Sequence, residues 1–158
     1  MKQYPRLILV FCAIVIEVAG MAGCSCSKNS KENVIPINLQ NAKNVGSISL
    51  TVSYDPQVIN IIEIKPGEIA GNAILEFNID RPGKAVIGII DSNGITGTGS
   101  VALLGFNIID GNGIISINLD SIELYDAANL VDIPLRVSGG SIAAGGSSIT
   151  PATVTCGD

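Results

Sequence analysis

The chain has 158 residues, 9 Lys plus Arg against 14 Asp plus Glu, a net charge of −5, and no His or Trp. The length fits one domain, and without His there is no Ser-His or Cys-His nucleophile system and no common zinc site. An acidic chain with 4% aromatics also lacks the basic stripe and stacking rings of a nucleic-acid binder. Lys2 and Arg6 open a short basic segment, residues 7–18 form an apolar run interrupted late by Glu17, and small residues follow to Gly23. That order defines an export signal, and its apolar run is too short for a comfortable membrane span. Removal of residues 1–23 leaves 7 basic and 13 acidic residues, a net charge of −6.

Met21-Ala22-Gly23-Cys24 resembles the lipobox of bacterial lipoproteins. The resemblance implies lipidation of Cys24, which would become the new N-terminus and hold an exported chain at the membrane. Residues 24–33 are polar and read as a tether. Export permits Cys26 and Cys156 to pair, and two free or intermolecular thiols fit the sequence equally well.

From residue 34 to 143 the chain reads as short strands rich in β-branched residues, with Ile occurring 26 times in the whole chain. Strands are predicted at 34–39, 46–54, 58–65, 73–79, 84–91, 100–109, 114–119, 121–125 and 133–143. Turn chemistry separates them at Asp55-Pro56, Pro66-Gly67, Arg81-Pro82-Gly83, Asp91-Ser92-Asn93-Gly94, Asp110-Gly111-Asn112-Gly113 and Ser138-Gly139-Gly140. The second strand alternates cleanly. Ile48, Leu50, Val52 and Tyr54 take the core side, and Ser47, Ser49, Thr51 and Ser53 the other. The same rule places Leu104, Phe106 and Ile108 inward and Leu103, Gly105 and Asn107 outward. The pattern predicts a sandwich or barrel. Residues 144–158, rich in Gly, Ser, Thr and Pro, read as a flexible tail.

In order, Val34-Ile35-Pro36-Ile37-Asn38-Leu39, the alternating strand ending Tyr54-Asp55-Pro56, Lys65-Pro66-Gly67-Glu68, Thr96-Gly97-Thr98-Gly99-Ser100-Val101, Leu124-Tyr125-Asp126-Ala127 and Gly139-Gly140-Ser141-Ile142 resemble a cohesin domain. Cohesins are the receptor modules of cellulosome scaffolds. The resemblance spans residues 34–143 and implies an all-β, nine-stranded jelly-roll β-sandwich with no enzymatic activity. It also implies a dockerin-type partner, a small calcium-loaded helical module, held on one sheet face. The corresponding positions are Ser47 and Ser49 on the second strand, Ile87, Ile89 and Asp91 on the fifth, and Leu103 on the sixth. Cellulosomal members often carry Asn and Asp where this chain carries Ser47 and Ser49. The run Ala85-Val86-Ile87-Gly88-Ile89-Ile90 is apolar on both sides, so one side is left to form an exposed patch, here assigned to Ile87 and Ile89.

Other functions are weaker on the residues. Asp80 with Asp91, or Glu76 with Asp80, are the carboxylate pairs to inspect for glycosidase chemistry. A directly carbohydrate-binding surface lipoprotein is the alternative, with Tyr125 or Phe77 as its thin aromatic platform. In the favoured reading polysaccharide is met only indirectly, through the partner. The segments 91–94 and 110–113 lack the carboxylates of a calcium loop and read as hairpin turns, so no metal or cofactor is expected.

Overall fold

The computed structural model describes residues 33–110, 114–143 and 148–157. The export signal, Cys24 and Cys26 lie outside the described residues. Among the described residues nine strands form: β1 (Asn33–Tyr54), β2 (Ile59–Pro66), β3 (Ile74–Asn78), β4 (Lys84–Ile108), β5 (Ile114–Asp126), β6 (Leu135–Ser138), β7 (Gly140–Ala143), β8 (Ile149–Thr150) and β9 (Ala152–Cys156). A single turn of 3-10 helix, Glu68–Ala70, follows β2.

Hydrogen bonding runs without a break through all nine strands because β1 and β4 are long enough to serve two layers. In the first layer, β3, the start of β4, the end of β1 and β5 lie side by side. In the second, β2, the end of β4, the start of β1, β9 and β6 do so. β1 and β4 are antiparallel throughout, and their register slips at Ile37/Asn38, Leu39/Ala42, Ala42/Val45 and Val45/Ser47. Such bulges bend a strand and increase its twist, which carries it from one layer to the other.

The corner is built from short polar side chains. Asn41 and Asn44 take φ of 57° and 54°, a left-handed conformation that Asn tolerates better than bulky residues. The Asn41 and Asn44 backbone N–H groups donate to Thr98 Oγ1 and Thr96 Oγ1, both at 3.1 Å. The Thr-Gly-Thr-Gly segment of β4 thus supplies acceptors where the ladder is interrupted. At Gly67 a side chain would overlap the Ser100 backbone, so the glycine lets the helical turn lie directly on β4. Its N–H donates to the Val101 carbonyl at 3.0 Å.

Between the layers lies one core. Ile35, Ile37, Leu50, Ile87, Ile89, Leu104, Phe106, Ile117 and Leu124 are among its fully buried side chains. The predicted inward set Ile48, Leu50, Val52 and Tyr54 is buried, as are Leu104 and Phe106, with Ile108 packed at the margin.

The strands are cut differently from the sequence reading. Segments 34–39 and 46–54 join as β1, 84–91 and 100–109 as β4, and 114–119 and 121–125 as β5, while 133–143 divides into β6 and β7. Residues 91–94 form no hairpin turn. They are a bulge within β4, where five residues advance against two on β1 between the pairs Ser47–Ile90 and Val45–Ile95.

The expectation of a flexible tail over 144–158 is corrected at its end. β9 pairs parallel with β1, from Ile37–Ala152 to Gln40–Thr155, and antiparallel with β6. Ala152, Val154 and Cys156 are buried, alternating with Thr153 and Thr155, the period of a half-buried strand. Composition concealed it, because the preceding Gly and Ser residues dominate the segment.

Candidate docking face

The first layer presents an outer face whose rows follow from strand register. One row holds Ile74, Ile90, Ser47 and Tyr125; the next, Glu76, Gly88, Ser49 and Glu123; the next, Asn78, Val86, Thr51 and Ser121. Cross-strand partners point to the same side, so each row shares one surface. Ile74, Ile90 and Val86 are 64%, 58% and 48% exposed. Among the described residues no element covers them.

At the centre of this strip is Gly88. A β-carbon there would meet nothing within 4 Å. Glycine inside a strand weakens it and often marks a place where another backbone comes close. Here it leaves bare main chain between Val86 and Ile90. The β1 row offers hydroxyls rather than charges: Ser49 is exposed, Ser47 half-buried, and Ser53 donates to Asp120 Oδ1 at 2.8 Å. Glu76 and Glu123 stand at the two borders of one row, three strand spacings or roughly 14 Å apart.

Beyond Tyr125 the face ends at a loop. Asp126 shapes it, accepting from the N–H groups of Ala128 at 2.8 Å and Asn129 at 3.1 Å and from Asn44 Nδ2 at 3.1 Å. The Ala128 and Asn44 donors hold the Asp126 carboxyl below its ordinary range, Asn129 adds to this, and burial opposes it. The Tyr125 hydroxyl lies 3.5 Å from Glu123 Oε2. The Glu123 charge, then that of Asp132, pushes the Tyr125 pKa up, so the phenol stays protonated. Leu130 and Val131 are exposed at the loop tip, and Leu130 takes φ of 57°, unusual for a residue with a β-carbon.

The expected site residues divide. Ser47 and Ser49 lie on this face. Ile87 and Ile89 do not: both are 0% exposed and belong to the core, and the outward residues are Val86, Gly88 and Ile90. A one-residue shift in a strand exchanges its two faces, and a run apolar on both sides hides the shift. The distinguishing signal is Lys84, whose charge faces water and thereby sets even-numbered positions outward. Asp91 is half-buried at the end of the segment, and its carboxylate accepts the Asn93 N–H at 2.8 Å. Leu103 is opposite Pro36 and Lys65 in the second layer, apart from the others. Ile74, Glu76 and Glu123 join the face only through strand pairing: β3 has five residues, and the polar side of the alternation Ser121-Ile122-Glu123-Leu124 reads as ordinary solvated surface.

The competing constellations come apart as well. Asp80 and Asp91 stand at opposite ends of the β3–β4 pair, seven strand positions or roughly 23 Å from one another. Glu76 lies inside β3 and Asp80 two residues beyond its end, where the Asp80 carboxylate accepts from Asn78 Nδ2 at 2.9 Å. The Asp80–Asp91 separation exceeds the roughly 5–9.5 Å of glycosidase carboxylates. Phe77 on β3 and Tyr125 on β5 are separated by β4 and β1, in rows that belong to different sides of the sheet, so each aromatic stands alone. Cys156 is buried, and its suggested partner Cys26 lies outside the described residues.

A family model, described as the cohesin domain, matches residues 27–144. Among curated proteins no match was found. Solved structures similar to this chain include a non-cellulosomal cohesin from the hyperthermophilic archaeon Archaeoglobus fulgidus, 23% identical, with TM-score 0.56 and coverage of 78% of this chain and 90% of that one. A cohesin from Clostridium acetobutylicum is 23% identical, with TM-score 0.55 and coverage of 74% and 94%. A chain of a type I cohesin–dockerin complex from Clostridium thermocellum is 16% identical, with TM-score 0.55 and coverage of 79% and 96%. At these identities the likeness is one of fold. With the family match extending over most of the sequence, this chain belongs to the cohesin domain family.

Proposed function

We propose that the outer face of β3, β4, β1 and β5 docks a dockerin-type protein partner, and that the chain is a non-catalytic receptor module. The observation carrying this reading is the uncovered strip Ile74, Val86 and Ile90 around the open Gly88, bordered by Ser47, Ser49, Glu76 and Glu123. An apolar centre with a polar rim is the anatomy of a protein interface. Solved cohesins of this fold occur in complexes with dockerins, which supports the choice of partner. Serines in place of longer polar groups leave discrimination to the shape of the strip and the two border carboxylates.

Calorimetric titration with dockerin modules encoded in the same genome tests this. Saturable binding by at least one, lost in Ile90→Asp, is the expected result. No binding by any of them to the folded chain overturns the proposal.

The same reading places the module outside the cell, with residues 1–23 directing export and Cys24 carrying lipid, as the basic, apolar and small-residue order supports. Fatty-acid labelling should disappear in Cys24→Ser, and labelling that persists overturns the anchor.

A further inference from the structure

A cleft of about 610 Å³ opens between the β1 corner, β6 and the end of β9. None of its lining residues belongs to the rows of the docking face. Ala42, Ile133 and Cys156 supply an apolar lining, while Lys43, Arg136 and Thr155 supply polar groups. Among the described residues no carboxylate lines it.

That charge distribution is unusual for this molecule. The described residues include eleven Asp and Glu but only five Lys and Arg. Lys65 is paired with Glu63 at 2.8 Å. Arg81 and Lys84 stand at the β3–β4 connection. The remaining two cations, Lys43 and Arg136, share this one cleft and make no ion pair among the described residues. Like charges on a common concavity repel, and an anion between them relieves the repulsion.

The fold fixes where they stand. Lys43 lies in the corner between Asn41 and Asn44, whose backbones are tied to Thr98 and Thr96. Arg136 is opposite Thr155 in the β6–β9 ladder. A guanidinium fork matches the paired oxygens of a carboxylate or phosphate, and an ammonium adds a point charge. The volume falls within the range of small-molecule sites.

We propose that this cleft binds a small organic anion, its carboxylate or phosphate group held by Lys43 and Arg136 and its apolar body resting on Ala42, Ile133 and Cys156. Burial pushes the Cys156 thiol pKa up, so the thiol contributes no negative charge of its own at neutral pH.

The test is an amide chemical-shift titration of the full chain with inorganic phosphate, acetate and benzoate, at constant ionic strength in chloride. Saturable shifts are expected at Lys43, Arg136, Thr155 and Gly157, with dissociation constants of about 1–10 mM for the small probes. If carboxylate is preferred, benzoate binds at least about threefold tighter than acetate through the apolar lining. If phosphate is preferred, inorganic phosphate saturates first. The double variant Lys43→Gln, Arg136→Gln should weaken the best probe at least about tenfold while keeping a dispersed spectrum, because both side chains are exposed. No saturable shift with any of the three probes, or equal shifts in the double variant, overturns the site.

Discussion

The two layers of this sandwich share a core and differ in what they turn outward. The outer side of the first layer is an apolar strip around a bare glycine, bordered by hydroxyls and two carboxylates. The outer side of the second sets half-buried Val34, Pro36 and Leu103 among Asn38, Asn107, Thr153 and Thr155, with the turn Glu68–Ala70 laid on β4. Both are built from strands, and β1 and β4 contribute to each. The difference therefore lies in side chains placed on equivalent scaffolds, which separates what folds the domain from what equips it to bind.

The comparison breaks most completely from beneath. Ile89→Asp puts a carboxylate at a fully buried position with no partner and should cost more than about 4 kcal/mol, enough to abolish cooperative thermal unfolding. Its neighbour Ile90→Asp, on the exposed side, should keep the fold and lose only the dockerin. Next in size is a matched pair of arginines. Gly88→Arg fills open space at the centre of the proposed face and should weaken dockerin at least about thirtyfold, or ~2 kcal/mol, at unchanged melting temperature. Thr153→Arg on the opposite face should leave affinity unchanged. Equal losses would show that the two faces do not differ in function.

Smaller effects sharpen the contrast. Val154→Ala removes buried methyl groups under the second layer and should lower stability by about 2 kcal/mol in denaturant titration, without altering affinity per folded molecule. Leu130→Gly relieves a left-handed backbone at the rim loop and should raise stability by about 0.5–1 kcal/mol. The smallest effect is the acid response of Asp126. Its folded pKa is depressed, so its contribution is complete above the ordinary value of 3.8 and is lost as pH falls through the lower, folded value. Asp126→Asn should flatten that part of the stability-versus-pH curve below 3.8, read by melting temperature at matched ionic strength.

Where side chains alternate, the sequence was readable. Ser47 to Tyr54 declares both its faces, and the cohesin-like order of turns anticipated the sandwich. Ala85 to Ile90 declares neither, since valine and isoleucine satisfy either side, and its own residues do not separate the inward pair Ile87 and Ile89 from the outward Val86 and Ile90. The charge of Lys84, next to the run, carries the register. β9 was hidden for another reason: Ala152, Val154 and Cys156 form a strand only because β1 and β6 offer open edges beside it. The corner is tertiary too, since Asn41 and Asn44 depend on hydroxyls more than fifty residues later.

The parallel pairing of β1 with β9 also gives the domain a mechanical character. Tension applied between Asn33 and Gly157 draws these strands past each other along their length. The contacts from Ile37–Ala152 to Gln40–Thr155 then carry the load together rather than opening one after another. A domain stretched between its two ends resists in shear, at the pairing formed by the segment least expected to be part of the fold.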